Sequence, residues 1–386
     1  MSNIHTNFIA FLDKKNPPNH SFVNGMLAKL VGDRKDISVR LVVSSGEDEF
    51  SSNSPSRFYN ATCVPILLKR NGLKRFINAF IALYFLVKVV HKSKSRGNRV
   101  VVFVRNSPIC LAAACVMNRI VDKVIFQSSH PHEIVSKSMA KRWGAKVIYW
   151  LCSKSVDCVV AVSPVGLKRV QKLFPGASEG VFIPLLADVP GNKEKATPLR
   201  SGQTVRFTYI GTHSDRRNLH ILLRGIVLAV KNGADGTFVF VGGSKEEIKK
   251  LKQTKGVCGL LESEILSFQT RIPRPQVGRV LARSHVGFSV APPVDVNKEM
   301  SPTKLSEYMG AGLAVIATEG IPLQDKFMNE SEAGWLVNWS TEDIARVICE
   351  VSKSHEEVNV RQRKAQQYAS NKLKYELYLS RFLKVI

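Results

Sequence analysis

The sequence predicts an α/β fold with two doubly wound domains, each a parallel sheet with helices on its faces. Short apolar runs alternate with longer helical patterns along the chain, which is the order of repeated β/α units. A stretch rich in Pro, Gly and Lys at 187–203 interrupts this alternation, and the same order then restarts. The length of 386 residues exceeds what one core usually holds and fits two domains of ordinary size.

The first half contains the elements of one domain. Its apolar runs predict strands at 7–12, 37–44, 100–104, 123–127 and 158–163. Helical patterns predict helices at 26–31, 108–117 and 135–155, and a further helix over VGLKRVQKLF. The polar, Ser- and Asn-rich residues 46–62 are predicted to form a surface loop. Because the linker follows soon after the last strand, this domain is expected to end near residue 190.

The stretch at 69–99 is basic at both ends and apolar in the middle. It contains nine Lys and Arg residues, and 79–87 is apolar without interruption. Such a helix either lies in a membrane interface, held by apolar burial and by attraction to anionic lipid, or faces the core with ends that are basic by chance. No acidic residue occurs from Phe50 through Val121, which favours the membrane.

The net charge of +25 is unevenly distributed, with 27 Lys and Arg against 11 Asp and Glu in residues 1–190. Such a field indicates a polyanionic partner, which would be nucleic acid, an anionic membrane or phosphorylated substrates. Neither a signal peptide nor a membrane-spanning helix is predicted, because the required apolar segments are missing. The seven cysteines show no metal-ligand spacing and are expected to be reduced, cytosolic core thiols.

The second half repeats the α/β order. Strands are predicted at 206–210, 237–241, 266–270, 286–290 and 334–337, and a helix at 341–352. Gly211 follows the first of these strands and Gly242 the second, which suits close approach of a nucleotide to the backbone. Neither the dinucleotide fingerprint nor the P-loop motif occurs. The charged tail 356–386 is predicted to be one long helix that crosses back over the first domain.

The stretch DVNKEMSPTKLSEYMGAGLAVIAT contains two carboxylates at a Glu-x7-Glu spacing, Glu299 and Glu307. Ser301 is expected at the N-cap of a helix and Pro302 at its first position. Together with Lys304, this helix start is a natural seat for a diphosphate. The glutamates would repel a phosphate and suit the hydroxyls of a sugar or ribose. The alternative is an ordinary helix with a polar first turn, ended by the glycines that follow.

Two histidines follow the strand predicted at 123–127. His130 and His132 lie in the segment SSHPHE, directly after that strand. Ligands of open α/β sheets bind at the carboxyl ends of strands, and imidazole suits proton transfer or hydrogen bonding near neutral pH. The alternative is a pair of structural or solvated loop histidines.

These segments carry a resemblance to a known family. The second half, above all the run SPTKLSEYMGAGLAVIATEGIP with YIGTHSDRRNLHILLRGI and FVFVGG, resembles the nucleotide-sugar half of family 4 glycosyltransferases with the GT-B fold. The first half is consistent with it through VVVFVRN, FQSSHPHE and SVDCVVAVSPVGLKRV. The resemblance implies two Rossmann-like doubly wound domains that face each other across a cleft. It also implies retaining sugar transfer with no cofactor and no required metal ion.

The resemblance implies a role for each matching residue. The catalytic residues would be His130, Arg217, Lys304 and Glu299. The donor would be bound by Gly211, Thr212, Arg216, Gly242, Arg271, Ile272, Ser301, Pro302, Thr303 and Glu307. Asn24, Gly25 and His132 would lie on the acceptor side. Thr212 stands where the family often has an arginine, which leaves the phosphate clamp to Arg216 or Arg217. The residues before Glu299 also depart from the family's aromatic and glycine pattern.

The predicted division is an acceptor-side domain at 1–190, a nucleotide-sugar domain at 191–355 and a C-terminal helix at 356–386. The predicted function is hexosyl transfer from a nucleotide diphosphate-sugar to a lipid-linked glycan acceptor in bacterial surface polysaccharide or lipopolysaccharide assembly. The enzyme is expected to be cytoplasmic and peripheral on the inner face of the cytoplasmic membrane, which it would contact through its basic region at 68–99. No nucleic-acid partner is expected. The alternatives are a basic nucleic-acid-binding protein and a GT-B relative such as a nucleotide-sugar epimerase.

Overall fold

The computed structural model describes residues 5–16, 20–47, 61–68, 74–136, 138–187 and 195–386. Contacts divide the chain into two compact units. Unit 1 comprises Met1–Leu185, Glu299–Ser301 and Tyr375–Ile386, and unit 2 comprises Leu186–Lys298 and Pro302–Lys374. The predicted loop at 46–62 lies largely, and the start of the basic stretch at 69–73 wholly, outside the described residues. Of the linker at 187–203, residues 188–194 lie outside them.

Unit 1 contains a parallel sheet with seven strands among its described residues. They are β1 (Thr6–Asn16), β2 (Ile37–Glu47), β3 (Ala61–Leu67), β4 (Arg99–Arg105), β5 (Lys123–Ser128), β6 (Cys158–Ala161) and β7 (Glu179–Phe182). Their order is β3-β2-β1-β4-β5-β6-β7, and every pair is parallel. The chain thus adds strands first on one side of β1 and then on the other, which is the doubly wound arrangement.

Helices cover this sheet. They are α1 (Ala28–Asp33), α2 (Lys74–Lys94), α3 (Pro108–Val116), α4 (His132–Val135), α5 (Met139–Cys152), α6 (Pro164–Leu173) and α16 (Glu376–Val385). A π-helical turn, Val23–Leu27, leads into α1. The helices α2, α3 and α5 lie side by side and share one core. The buried residues Ala82, Leu86 and Val90 repeat every four positions and therefore form the inner side of α2.

Unit 2 contains a second parallel sheet, with six strands among its described residues. They are β8 (Val205–Ile210), β9 (Gly236–Gly243), β10 (Leu266–Thr270), β11 (Val286–Ser289), β12 (Ala314–Thr318) and β13 (Gly334–Val337). Their order is β10-β9-β8-β11-β12-β13, again doubly wound. The helices are α7 (Leu219–Lys231), α8 (Lys245–Lys252), α9 (Val257–Glu262), α10 (Arg274–Ala282), α11 (Asp295–Lys298), α12 (Thr303–Ala311), α13 (Pro322–Ser331), α14 (Thr341–Lys353) and α15 (His355–Lys372).

The predicted α/β class with two doubly wound sheets is confirmed, and the differences lie at edges and ends. Strands β3 and β7 were not predicted. Both are edge strands that pair on one side only, the apolar run of β3 is interrupted by Pro65, and β7 is only four residues long. The predicted single tail helix is two helices. No Gly or Pro marks the break, and Leu373 and Tyr375 are buried at it instead. The helix predicted at 135–155 is shorter, and α4 precedes it.

Candidate active site

Two glycine loops meet at the carboxyl ends of neighbouring strands in unit 2. Gly211 follows β8 with φ 148°, and Gly242 is the last residue but one of β9, with φ 115°. A Cβ atom built on Gly242 would lie 2.7 Å from the Gly211 carbonyl oxygen. Both positions therefore require glycine, for the backbone angle and for the close approach. The carboxyl end of an open α/β sheet is where such folds bind ligands.

The side chain of Lys304 reaches these loops from the first turn of α12. A Cβ atom built on Gly211 would lie 2.9 Å from Lys304 Nζ, and the same Nζ lies 5.1 Å from the centroid of the Tyr209 ring. Burial and the positive charge of Arg217 hold the pKa of Lys304 well below its ordinary value, and the carboxylate of Glu307 opposes them. An anion bound here would favour the protonated lysine.

The helix α12 begins differently from the prediction. Its N-cap residue is Pro302, with φ −79° and ψ 67°, and no side chain caps the helix. Ser301, predicted as the N-cap, instead accepts a hydrogen bond from the Leu185 N–H at 2.8 Å and donates one to the Leu185 carbonyl. The prediction of a serine cap is wrong, because the Ser301 hydroxyl forms its hydrogen bonds with the Leu185 backbone of unit 1. The first-turn N–H groups of α12 are thereby left for a ligand.

Tyr308 anchors α12 to the strand that carries Gly211. Its buried hydroxyl accepts a hydrogen bond from the Ile210 N–H at 2.9 Å. A Cβ atom on Gly287 would overlap the Tyr308 ring, so the ring lies flat against β11. Burial raises the pKa of the Tyr308 phenol well above its ordinary value, so it stays neutral. Lys304 and Glu307 therefore project from a helix with a fixed position on the sheet.

The loop after Gly211 contains two arginines that differ in their exposure to solvent. A 3-10 turn, Asp215–Arg217, contains both. Arg216 is exposed, whereas Arg217 is half-buried and close enough to lower the pKa of Lys304. The geometry therefore favours Arg217 as the second cation. Thr212 is exposed, and its carbonyl accepts a hydrogen bond from the Tyr209 hydroxyl at 3.1 Å.

His213 belongs to the same loop and was missed in the sequence. Its Nδ1 lies 2.9 Å from the Gly211 carbonyl, which can only accept, so Nδ1 carries the proton. Burial lowers the pKa of this imidazole, which is therefore neutral. Within the described parts of the chain, Nε2 is buried without a hydrogen-bond partner. Its position two residues after a strand-end glycine was a signal that could have singled it out.

The remaining donor-side residues of unit 2 lie on these elements or beside them. Glu307 is buried on α12, one turn after Lys304. Pro302 is buried and Thr303 half-buried at the helix start. The loop between β10 and α10, at the same edge of the sheet, contains Arg271 and Ile272. Unit 2 thus contains, on elements around this edge of its sheet, the following predicted residues: Gly211, Thr212, Arg216, Arg217, Gly242, Arg271, Ile272, Pro302, Thr303, Lys304 and Glu307.

The other predicted residues lie in unit 1. After β5, the side-chain oxygen of Asn106 accepts hydrogen bonds from the N–H groups of Ser129 (2.7 Å) and His130 (3.1 Å). His130 is exposed, and its ring centroid lies 5.1 Å from that of His132. Asn106 itself has φ 57°. The two histidines are therefore neighbours on a loop that an asparagine, missed in the sequence, holds in shape.

Glu299 is held by an arginine that was also missed. Arg169 Nε donates to Glu299 Oε2 at 2.7 Å, its Nη1 donates to Glu133 Oε1, and its Nη2 donates to the Ser128 hydroxyl at 2.9 Å. The Ser163 hydroxyl donates to the Glu299 carbonyl at 2.8 Å. Burial raises the pKa of the Glu133 carboxyl, and Arg169 opposes this shift. The carboxylate of Glu299 therefore has a fixed orientation within unit 1.

The acceptor-side residues Asn24 and Gly25 lie in the π-helical turn before α1. A Cβ atom on Gly25 would overlap the Tyr375 ring, so the close approach that this glycine permits is made by Tyr375. Whether Asn24 and Gly25 contact an acceptor stays a prediction. Among the described residues, no group of three or more His, Cys, Asp or Glu side chains is arranged to hold a metal ion.

The contact of Gly211 with Lys304 leads to a first prediction. In Gly211→Ala, the added methyl group would displace the Lys304 ammonium, so we expect a weakened affinity for the predicted donor nucleotide, measured by calorimetry. Gly233→Ala is the matched control, because Gly233 also has a positive φ, 84°, but nothing within 4 Å of its Cβ position. It should lose about 1 kcal/mol of stability from backbone strain and keep the wild-type affinity for that nucleotide. Equal nucleotide affinities in the two variants would contradict the packing described here.

The two doubly wound sheets define a protein with the GT-B fold of glycosyltransferases, as solved structures show. Sucrose-phosphate synthase from Thermosynechococcus elongatus matches with a TM-score of 0.67 at 12% identity, covering 99% of this chain and 98% of that one. HepE of Anabaena in complex with UDP-glucose matches with a TM-score of 0.66 at 14% identity, covering 98% of each chain. WaaG, a glycosyltransferase involved in lipopolysaccharide biosynthesis, matches with a TM-score of 0.63 at 14% identity over 99% of each chain.

Residues 204–354 match the family model described as glycosyl transferases group 1. Over these residues the chain is similar to the group 1 glycosyltransferases, and the predicted glycosyltransferase is confirmed at the level of this match. The comparison with curated proteins finds no significant match. The matched range contains the two glycine loops, Lys304 and Glu307, so the family match and the cationic site coincide in unit 2.

Proposed function

We propose that the chain transfers a hexosyl group from a nucleoside diphosphate-sugar whose diphosphate is bound by unit 2. The observation that carries this proposal is the surroundings of Lys304. Its ammonium is packed over Gly211 beside a second cation, at the uncapped start of a helix. Two cations held this close repel each other, and burial adds to the cost. The negative charge of a diphosphate would offset both the repulsion between the cations and the cost of burying them. A neutral ligand would offset neither.

The same groups would act in the reaction. As the glycosidic bond breaks, the leaving nucleoside diphosphate gains negative charge. Lys304, Arg217 and the first-turn N–H groups of α12 would stabilise that charge, and their fixed positions mean that little reorganisation is needed. Glu307 would bind ribose hydroxyls, and Glu299 would contact the donor sugar from its fixed position beside Arg169. His130 would contact the sugar as a hydrogen-bond donor.

We further propose retaining transfer without a required metal ion, since two side-chain cations are available to neutralise the leaving group. The acceptor would be a lipid-linked glycan of bacterial surface polysaccharide or lipopolysaccharide assembly. Support comes from the 27 basic residues at 1–190 and from the fold shared with WaaG. The enzyme would work in the cytoplasm, peripherally on the inner face of the membrane. In the part of the chain that the structure describes, the helices lack the combined length and hydrophobicity to cross a bilayer.

The function is tested by thermal unfolding with UDP-, GDP- and dTDP-sugars. One nucleotide of the panel should stabilise the chain by about 2.7 kcal/mol at a hundredfold excess over its Kd. The matching nucleoside monophosphate and the free sugar are the controls, and they should stabilise it much less because they lack the diphosphate. A chain that no nucleotide sugar stabilises, but that a DNA duplex does, would instead be a basic nucleic-acid-binding protein.

A further inference from the structure

Exposed large hydrophobic side chains are concentrated on one layer of unit 1. Of the fifteen such side chains among the described residues, eleven lie on α2, α5 and α3 with the turn after it, and unit 2 has only Val294. The most exposed are on α2 and α5: Phe80 and Tyr84 at 73%, Trp143 at 62% and Trp150 at 73%. Single exposed hydrophobics are ordinary on a protein surface, whereas a set of this size on one layer indicates a binding surface.

These side chains form outer faces of adjacent helices. Phe80, Tyr84 and Val87 recur at helical spacing on α2, opposite its buried side. Trp143, Val147 and Trp150 do the same on α5. Because α3 packs against both α2 and α5, the three helices form one layer over the shared core. We name the outer side of this layer the aromatic face.

The charged side chains on the three helices of this layer all have one sign. The helices α2, α3 and α5 contain no Asp or Glu. Exposed lysines stand among the apolar residues, including Lys88 and Lys92 on α2 and Lys146 on α5. The Lys146 ammonium lies 5.6 Å from the centroid of the Trp143 ring. A second copy of the chain would bring the same positive charge to this face, so self-association is opposed by repulsion.

A cavity opens beside α2. Its volume is about 490 Å³, which is within the range of small-molecule sites. Arg40, Lys88, Lys92 and Arg96 line it together with apolar side chains that include Tyr84, and no acidic residue is among its described lining. Cations next to apolar surface suit a phosphate joined to hydrocarbon. Tyr84 and Lys88 are also exposed on α2, so the cavity adjoins the aromatic face.

We propose that the aromatic face docks on an anionic bilayer, with a lipid phosphate in the cavity beside α2. Trp and Tyr rings are favoured at the membrane interface, where the ring is buried and its polar edge stays hydrated. The lysines would be attracted to anionic lipid at the surface. This inference extends the proposed function, on which it rests for the lipid-linked acceptor. It goes beyond the basic stretch at 68–99, because it adds the tryptophans of α5 and a head-group site.

The test is co-sedimentation of the full chain with vesicles of phosphatidylcholine alone or with 30% phosphatidylglycerol. The wild type should bind the anionic vesicles at least tenfold more tightly. Trp143→Ser with Trp150→Ser should weaken that binding about tenfold, through lost apolar burial. Lys88→Gln with Lys92→Gln should weaken it about 25-fold, since each lysine contributes roughly fivefold. The control, Leu377→Ser with Val294→Ser, removes exposed side chains elsewhere and should bind as the wild type does.

Binding of the nucleotide sugar that gives the largest thermal stabilisation, measured in the same preparations, separates the two proposals, because the aromatic face contains none of the donor-site residues. Variants that lose vesicle binding and keep the wild-type affinity for this nucleotide sugar would support the docking surface. Wild-type protein that ignores anionic vesicles, or tryptophan variants that bind them as the wild type does, would overturn it. A concentration-dependent dimer that the tryptophan variant abolishes, without vesicle binding, would also overturn it and assign the face to a second copy.

Discussion

Replacing Lys304 with Met should lower kcat for sugar transfer by about 10²–10³-fold, the usual cost of removing one group that stabilises developing charge. Met keeps most of the apolar stem that packs over Tyr209 and Gly211. The decrease in kcat therefore measures the effect of losing the ammonium group alone. Turnover is measured with the nucleotide sugar that gives the largest thermal stabilisation. The variant should also unfold no earlier than the wild type in the absence of ligand, because the lost cation was half-buried and repelled by Arg217.

Lys326→Met is the matched control for this substitution. Lys326 is an exposed lysine on α13 of the same unit, with a weak contact of 3.7 Å to Glu330. Its removal should leave kcat within about twofold of the wild-type value, as for surface charges remote from a site. Unchanged kcat in Lys304→Met would show that the ammonium takes no part in the reaction. The fold and the match to the family model would not be affected by that result.

Replacing Arg169 with Met should destabilise unit 1 by about 3 kcal/mol, because it leaves Glu133 and Glu299 in place without their shared cation. The Arg169 side chain is 18% exposed and that of Glu133 is 5% exposed, so water can compensate little. Urea unfolding measures the loss. Arg346→Met is the control, because Arg346 also contacts two carboxylates but is 61% exposed. Its loss should cost no more than about 1 kcal/mol.

The loss of stability in Arg169→Met is expected to depend on pH, and the pKa of Glu133 determines the direction. Burial already raises the pKa of Glu133, and removing Arg169 raises it further. A carboxyl whose pKa is raised in the folded state stabilises the fold below its unfolded pKa, and this stabilisation is lost as the pH rises through the folded value. The deficit of Arg169→Met should therefore shrink as the pH falls. A further Glu133→Gln substitution should restore part of the stability at neutral pH, and a deficit independent of pH would contradict the proposed charge balance.

The fold was predictable because its core strands are apolar on both faces. Strand β4 is buried along almost its whole length and is covered by helices, so its sequence VVVFV has a single interpretation. Strands β3 and β7 lie at sheet edges, where half-exposed residues blur the pattern. The break between α15 and α16 carries no Gly or Pro, and tertiary burial of Leu373 and Tyr375 determines it.

The donor side was predictable where local chemistry determines it. Gly211 and Gly242 have backbone angles that favour glycine, and Lys304 and Glu307 lie in a specific run of residues. Ser301 shows where helix-capping rules based on neighbouring residues fail. Its hydroxyl forms hydrogen bonds with the backbone of Leu185, which is distant in the sequence, and not with the helix that it precedes. Arg169 and Asn106 act on residues more than twenty positions away, so nothing nearby in the sequence marks them.

The most direct test of the donor site is calorimetric titration of a nucleoside diphosphate into the wild type and Lys304→Met, in buffers with different ionisation enthalpies. The nucleotide used is the diphosphate of the nucleotide sugar that gives the largest thermal stabilisation. In the free chain the pKa of Lys304 is held low, and a bound diphosphate should raise it. Binding should therefore take up protons, and wild-type affinity should fall as the pH rises above the free-state pKa. In Lys304→Met the proton uptake should disappear and the affinity should drop. Binding of this nucleoside diphosphate with equal affinity and equal proton uptake in both proteins would contradict this assignment of the site.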